Sequence, residues 1–195
     1  MAIQSQISII VLAAGASIRL GLPKQLLFYS GTTLIRRAIE TGLRSKADAV
    51  HVVLGYEAQS MHKEIKDLQV DIINNPHWKK GISTSIRAGV QSLGPTTKAA
   101  IIMLCDQPKV SMELLNTLID TYESTRAPIV TCRYARTVGV PTLYDCSIFS
   151  ELTNLRDDHG AKPIIERYAT TRMEIDFPGG EDDIDTLDDQ GKAHQ

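Results

Sequence analysis

The chain has 195 residues, of which 43% are hydrophobic and 23% are charged. This length fits one domain with a sizeable core, so we expect a single domain over residues 1–195. Lys and Arg number 21 and Asp and Glu number 23, and the net charge of -2 argues against nucleic-acid and membrane binding. The three cysteines form no metal-binding pattern and the first apolar run is too short to cross a membrane, so we expect a soluble cytoplasmic protein.

Short apolar runs alternate with amphipathic patterns along most of the chain. The runs predict strands at 7–12, 48–54, 70–73, 99–105, 128–132, 138–144 and 173–177. The amphipathic patterns predict helices at 34–43, 56–68, 82–93, 114–122, 147–155 and 161–168. Gly139 and Pro141 indicate a turn or an edge strand in their run rather than a central strand. The alternation predicts a three-layer α/β domain of Rossmann-like type, with a mostly parallel sheet, helices on both faces and an antiparallel edge strand.

The first predicted strand leads directly into a stretch of very small side chains. Ala13, Ala14 and Gly15 follow the strand, and Arg19 and Lys24 come within the next ten positions. Small side chains let a ligand approach the backbone, and Gly15 can adopt a positive φ. Beyond the carboxyl end of a strand, backbone N–H groups with Arg and Lys favour phosphate. We therefore favour a phosphate-binding loop over a turn with two solvated charges, although the spacing matches neither a P-loop nor the dinucleotide fingerprint.

Asp106 ends the most apolar run of the chain, residues 99–105. A carboxylate at the carboxyl end of a buried strand is well placed to bind a hard cation through oxygen. The alternative is that Asp106 caps the next helix. Ser111 stands immediately before the apolar pattern of that helix and is better placed to cap it, so the sequence favours Asp106 as a metal ligand.

A second polar cluster lies at the start of the predicted helix 82–93. Ser83 and Ser85 fall in its first turns, where free backbone N–H groups favour anions and polar ligand edges. Trp78, the only tryptophan, comes just before this helix. Packing at the core or its rim and contact with a ligand are equally compatible with this position.

Several motifs occur in a fixed order along nearly the whole chain. They are Leu12-Ala13-Ala14-Gly15 with Ser17, Arg19, Gly21, Pro23 and Lys24, then Trp78 and Gly81 with Ser83, Ser85 and Gly89, then Asp106-Gln107-Pro108, Gly139 with Pro141, Asp158 with Gly160 and Ala161, and Asp183-Ile184-Asp185-Thr186. The series resembles the MobA-like nucleotidyltransferases, and among them most closely the MocA-like molybdenum cofactor cytidylyltransferases. Two positions depart from that pattern, since Leu20 replaces a usual Met and Asp157 replaces a usual Gly.

The resemblance implies a Mg²⁺-dependent nucleotidyltransferase with the Rossmann-like fold of that family. It implies catalysis by Arg19, Lys24 and Asp106, and a metal ion bound by Asp106 and Asp185. The implied nucleotide-binding residues are Leu12, Ala13, Ala14, Gly15, Ser17, Arg19, Lys24, Gly55, Asn75, Gly81 and Ser85. The implied acceptor-binding residues are Gln107, Pro108, Gly139, Pro141, Asp158, His159 and Gly160.

The implied reaction transfers CMP from CTP to a molybdopterin-type molybdenum cofactor and releases pyrophosphate. Family members with Ala-Ala-Gly in the loop tend to use CTP and those with Ala-Gly-Gly tend to use GTP, and this chain has Ala13-Ala14-Gly15. The implied partners are CTP or another NTP, a phosphorylated acceptor, and a molybdoenzyme or its chaperone as a docking partner. Two alternatives stay open: a cytidylyltransferase that acts on a sugar or polyol phosphate, and a non-catalytic nucleotide-binding assembly factor for a molybdoenzyme.

Overall fold

The computed structural model of the chain describes residues 6–17, 23–156 and 160–182. Within these ranges the strands are β1 (Gln6–Ala13), β2 (Phe28–Tyr29), β3 (Thr32–Thr33), β4 (Ala49–Leu54), β5 (Asp71–Asn74), β6 (Thr97–Leu104), β7 (Ile129–Tyr134), β8 (Thr137–Asp145) and β9 (Met173–Asp176). The α-helices are α1 (Leu34–Leu43), α2 (Ala58–Ile65), α3 (Ile82–Gln91), α4 (Met112–Thr125), α5 (Phe149–Thr153) and α6 (Lys162–Arg167). Short 3-10 turns occupy Lys24–Leu26, Trp78–Lys80 and Cys146–Ile148.

Seven of the strands in the described ranges form one sheet in the order β5-β4-β1-β6-β8-β7-β9. The pairs β5–β4, β4–β1, β1–β6 and β7–β9 are parallel, whereas β8 is antiparallel to both of its neighbours. β2 and β3 form a separate antiparallel hairpin. The predicted fold class, a mostly parallel sheet of Rossmann-like type that includes an antiparallel strand, is confirmed.

The antiparallel strand lies at a different place from the one predicted. β8 lies between β6 and β7, and not at the edge of the sheet. β7 pairs Thr131 with Thr142 and the next residue, Cys132, with Gly139, which leaves a bulge of two residues that includes Pro141. The pairing of β8 with β6 reaches only as far as Thr142. Because Pro141 lies outside both regular ladders, its missing N–H removes no ladder hydrogen bond, and an interior strand tolerates it.

Helices cover both faces of the sheet, as the alternating pattern predicts. On one face α1, α2 and α4 share one apolar cluster with Ile9 and Val11 of β1. On the other face α3, α5 and α6 share a second apolar cluster with Ile10 and Leu12 of the same strand. β1 is therefore buried on both sides, which explains why it is apolar without alternation.

The order of strands reverses at β1. The chain continues from β1 to β4 and β5 on one side, and β6 then returns to the other side of β1. In open α/β sheets the loops on either side of such a reversal diverge and leave a crevice beyond the carboxyl ends of the strands. The loop after β1 and the loop after β6 meet at this crevice.

Candidate active site

The loop that follows β1 is held by hydrogen bonds to its own small residues. The carbonyl of Ala14 accepts a hydrogen bond from the N–H of Tyr56 at 3.0 Å. The hydroxyl of Ser17 accepts one from the N–H of Lys24 at 3.3 Å. Among the described residues of the loop, Ser17 has a positive φ, of 48°, and Gly15 does not. A Cβ added at Gly15 would meet no atom within 4 Å, so this glycine leaves open space beside the backbone.

Lys24 and Asp106 form an ion pair across the crevice. Lys24 begins the 3-10 turn after the loop, Asp106 follows β6, and the Nζ of Lys24 contacts the Oδ2 of Asp106. Asp106 is only 6% exposed. Ser111 caps α4, because its hydroxyl accepts a hydrogen bond from the N–H of Leu114 at 3.2 Å. The cap role is therefore filled by Ser111, and the Asp106 carboxylate faces Lys24.

The segment between β5 and α3 forms the opposite wall of the crevice. Its Trp78 ring contacts the ring of Tyr56 edge-on, with centroids 5.5 Å apart. Gly81 has φ 105° and ψ 170° immediately before α3, a conformation that strongly favours glycine. The Nδ2 of Asn75 donates a hydrogen bond to the hydroxyl of Ser85 at 3.0 Å. The backbone of this wall thus depends on Gly81 for its conformation, and the buried amide of Asn75 connects it to α3.

These elements enclose a cavity of about 470 Å³, a size typical of small-molecule sites. The cavity brings together the predicted site residues Leu12, Ala13, Ala14, Gly15, Ser17, Lys24, Gly81, Ser85 and Asp106. Trp78 also lines it while packing on Tyr56, so both interpretations of this tryptophan apply. The small-residue loop, the lysine and the carboxylate therefore share one cleft.

Gly55 and Asn75 lie behind the lining of this cavity. A Cβ added at Gly55 would stand 2.7 Å from the Cβ of Trp78 and 2.8 Å from the carbonyl oxygen of Ala14. Gly55 therefore lets the two walls approach each other. Asn75 is 4% exposed and is hydrogen-bonded to Ser85. The structure places both residues as supports of the cleft, and their contact with a nucleotide stays a prediction.

The predicted acceptor residues of the described ranges lie outside the lining of the cavity. Gln107 is 6% exposed, and its Nε2 donates hydrogen bonds to the carbonyl oxygens of Val140, at 3.3 Å, and Gly180, at 2.8 Å. It connects the loop after β6 to the β8 bulge and to the turn after β9. The remaining members of this group in the described ranges are Pro108, Gly139, Pro141 and Gly160. Their role toward an acceptor stays a prediction.

Four predicted site residues, Arg19, Asp158, His159 and Asp185, lie outside the described residues. In the described part of the chain, no group of three His, Cys, Asp or Glu side chains could hold a metal ion by itself. Asp106 is the acidic residue that lines the cavity within these ranges. Mg²⁺ is commonly held by one or two carboxylates together with substrate phosphates, so this donor fits a cation that arrives with a nucleotide.

Sequence reasoning missed two polar residues of the cavity. Gln25 is 2% exposed and hydrogen-bonds to the loop after β1, and Lys79 lies with its Nζ 5.5 Å from the centroid of the Trp78 ring. Nothing local in the sequence separates a buried glutamine from a solvated one. Lys79 belongs to a pair of lysines, Lys79 and Lys80, in which only the fold shows the residue that faces the cleft.

Residues 9–172 match the sequence profile of the MobA-like NTP transferase domain. The chain belongs to the MobA-like NTP transferase family. This assignment confirms the predicted family and, at the level of the family, the predicted class of nucleotidyltransferase. In the described ranges of this family member, no helix is long and apolar enough to cross a membrane.

Two curated proteins resemble this MobA-like transferase over part of their length. The nicotine blue oxidoreductase of Paenarthrobacter nicotinovorans is 35% identical over 118 residues, which are 60% of this chain and 57% of that protein. The molybdenum cofactor cytidylyltransferase of Escherichia coli strain K12 is 27% identical over 111 residues, or 56% of each chain. The chain thus spans little more than half the length of these two relatives.

Solved structures resemble this MobA-like transferase over almost the whole chain. The crystal structure of Rv0371c from Mycobacterium tuberculosis superimposes with a TM-score of 0.84 at 30% identity, and the match covers 96% of this chain and 97% of that one. A complex of Rv0371c with manganese gives a TM-score of 0.78 at 28% identity, with 97% and 98% of the two chains covered. The fold of the described residues is therefore that of known structures.

Proposed function

We propose that this family member is a Mg²⁺-dependent cytidylyltransferase that transfers CMP from CTP to a molybdopterin-type cofactor and releases pyrophosphate. The observation that carries the proposal is the meeting of Lys24 and Asp106 in one cleft beside a loop of very small side chains. The Escherichia coli relative, a molybdenum cofactor cytidylyltransferase, supports the choice of acceptor.

The loop after β1 binds the triphosphate of CTP in this proposal. Its small side chains let the phosphates reach the backbone N–H groups, and Gly15 leaves open space where a phosphate can approach. Lys24 contributes a positive charge from the next turn and Arg19 binds the leaving pyrophosphate. Positioning and electrostatic stabilisation supply most of the rate. No general base is needed, because a phosphate monoester acceptor is already an anion at neutral pH.

Mg²⁺ is the cofactor of the proposal, and the manganese complex of the Rv0371c relative supports a divalent cation in this fold. Asp106 and Asp185 are the residues that would hold it. Held there, a divalent ion would supply neutralisation of the negative charge on the reacting phosphates. Lys109, three residues after Asp106, forms an ion pair with Asp182, which places Asp182 beside the loop after β6.

The base of the nucleotide is assigned from Ala14. Ala14 lies in the lining of the cavity, and its carbonyl is fixed by the N–H of Tyr56. An Ala-Gly-Gly loop has a glycine at this position, so the side chain of alanine makes the cleft narrower than in such a loop. A narrower cleft favours a pyrimidine over a purine, so we propose CTP.

The test is product analysis with a panel of substrates. The purified protein is incubated with Mg²⁺, with CTP or GTP, and with molybdenum cofactor, a sugar phosphate or a polyol phosphate, and the products are identified by mass. We expect the cytosine dinucleotide of the cofactor together with pyrophosphate. A guanine product would overturn the base assignment, and a nucleotide-sugar or nucleotide-polyol product would overturn the acceptor.

Asp106→Asn tests whether the cleft is catalytic. The variant removes the proposed metal ligand and keeps the size of the side chain, so we expect pyrophosphate release to fall by about 10²-fold or more. Asp120→Asn is the matched control, because Asp120 is an exposed carboxylate on α4 that pairs with Lys46. Unchanged pyrophosphate release by Asp106→Asn would contradict a catalytic role. If the variant released no pyrophosphate and still supported maturation of a molybdoenzyme, the alternative of a non-catalytic assembly factor would be favoured.

A further inference from the structure

The side chain of Gln25 is buried against the loop after β1. Gln25 is 2% exposed and lies in the 3-10 turn, next to Lys24. Its Nε2 donates hydrogen bonds to the carbonyl oxygen of Gly15 at 2.7 Å and to that of Ala13 at 3.2 Å. The same side chain lines the cavity. One amide thus holds two peptide groups of the loop.

The orientation of this amide is determined by its partners. Both acceptors are carbonyl oxygens, so exchanging the amide oxygen and nitrogen would place oxygen against oxygen. The Oε1 of Gln25 accepts no hydrogen bond within the described residues. A buried acceptor without a partner is unfavourable, so an apolar side chain of the same length would serve packing better. The observed pairing therefore points to a task in the loop itself.

Holding a carbonyl fixes the direction of the next N–H group. In a trans peptide the C=O of one residue and the N–H of the next point in opposite directions. Gln25 holds the Gly15 carbonyl, so the N–H of Ala16 points away from Gln25. Tyr56 holds the Ala14 carbonyl in the same way and so directs the N–H of Gly15. Within the described part of the chain, neither of these N–H groups donates to an acceptor.

We propose that Gln25 is a positioning residue that presents the N–H of Ala16 to the polyphosphate of the bound nucleotide. The proposal rests on the proposed function, because it assumes that the polyphosphate lies in this cleft. Gln25 itself touches no phosphate. It acts through the Gly15 peptide, whose orientation is set before the ligand arrives, and such preorganised N–H groups bind anions without reorganisation.

Gln25→Met tests the proposal, because methionine has a similar length and no hydrogen-bond donor. The probes are inorganic tripolyphosphate and CTP, both with Mg²⁺, in calorimetric titrations well below the unfolding temperature. We expect the Kd of both to rise by about tenfold or more in the variant. In amide NMR spectra, we expect tripolyphosphate to shift the Ala16 resonance in the wild type and to shift it far less in Gln25→Met.

Tyr122→Phe is the control. Tyr122 is 2% exposed, and its hydroxyl donates a hydrogen bond to the carboxylate of Asp145 at 2.6 Å. The same hydroxyl lies near Lys98 at the amino-terminal end of β6, whereas the cavity lies beyond the carboxyl end of this strand. We expect Tyr122→Phe to lower the unfolding temperature and to leave tripolyphosphate affinity within about twofold.

The outcomes separate the positioning role from the proposed function. If the wild type binds neither CTP nor tripolyphosphate, the cleft is not a nucleotide site and the proposed function fails. If the wild type binds both and Gln25→Met binds them equally well, the positioning role alone is overturned. Equal losses of affinity in Gln25→Met and Tyr122→Phe would likewise show that Gln25 has only a structural role.

Discussion

Lys24 pairs with the same carboxylate that the proposed mechanism assigns to the metal ion. The Nζ of Lys24 contacts Asp106 while Asp106 is 6% exposed, so little of the carboxylate is open to another cation. A divalent ion that arrives alone must displace the ammonium group. A nucleotide offers Lys24 a phosphate in exchange, so nucleotide and metal should bind more tightly together than separately.

Lys24→Gln should therefore have opposite effects on the two ligands. Without nucleotide, we expect Mn²⁺ to bind the variant roughly fivefold more tightly, which corresponds to ~1 kcal/mol, because Asp106 is released from its ion pair. Affinity for CTP should fall, because a phosphate contact is lost. Mn²⁺ titration followed by electron paramagnetic resonance measures the first effect. Lys79→Gln is the control, because it removes a neighbouring positive charge of the cavity that lies over the Trp78 ring. An equally large increase in Mn²⁺ affinity in this control would contradict a specific effect of the Lys24–Asp106 ion pair.

Gly15 gives a prediction that separates binding from stability. Its φ lies outside the left-handed region and an added Cβ meets nothing within 4 Å, so Gly15→Ala should stabilise the fold by about 0.4–1 kcal/mol. The same methyl group enters the space proposed for the phosphates, so CTP affinity should fall. Chemical denaturation and calorimetry measure the two effects. A variant that is more stable and binds CTP as well as the wild type would exclude close phosphate approach at this residue.

His51 gives a prediction of how stability depends on pH. It is 6% exposed in β4, and burial lowers its pKa below the usual 6.5, an effect that the nearby Asp71 carboxylate partly offsets. Between the folded pKa and 6.5 the unfolded chain binds more protons, so stability falls as pH drops below about 6.5, by at most about 1.4 kcal/mol per pH unit. His51→Gln should flatten this slope in urea titrations, and the exposed His62→Gln should not. An unchanged slope in His51→Gln would exclude this histidine as the cause.

At the scale of elements, the close approach of the loop after β1 to the Trp78 segment depends on Gly55. A Cβ there would lie 2.7 Å from the Cβ of Trp78 and 2.8 Å from the Ala14 carbonyl oxygen. Gly55→Ala should therefore force the walls of the cleft apart, with a loss of about 1–3 kcal/mol and weaker CTP binding. Gly94→Ala is the control, because Gly94 has no neighbour within 4 Å. Equal stability of the two variants in urea would contradict the tight approach.

Most elements of the fold could be predicted because their apolar patterns are long and regular. The strands at 7–12 and 99–105 appear as β1 and β6, and the amphipathic helices match α1 to α6 to within a few residues at their ends. β2 and β3 were missed because two residues per strand show no periodicity. The interior place of β8 was missed because Gly139 and Pro141 resemble edge-strand residues, and a two-residue bulge is visible only from the pairing with β7.

Some residues of the candidate site could be predicted from the sequence and others could not. The small-residue loop, Lys24 and Asp106 could be found from the sequence, since each follows a recognisable strand and has a residue type suited to phosphate or metal. Gln25 could not, because its function depends on which carbonyl groups the folded turn brings within reach. For Gly15 one of the two predicted reasons applies: the glycine leaves space beside the backbone, as predicted, but it does not adopt a positive φ.

At the scale of the whole molecule, the cleft forms where the strand order reverses between β1 and β6. Lys24 and Asp106 are far apart in the chain, and they meet only because these two strands are parallel neighbours with aligned carboxyl ends. The central claim is that this crevice holds a nucleoside triphosphate together with a divalent cation.

A crystal structure of the protein with CTP and Mn²⁺, with the cation located by its anomalous scattering, tests this claim most directly. We predict an anomalous peak at coordinating distance from the Asp106 carboxylate, with the triphosphate on the N–H groups after β1 and Lys24 turned from Asp106 to a phosphate. CTP bound elsewhere, or Asp106 still paired with Lys24 and no cation between Asp106 and the nucleotide, would contradict the account.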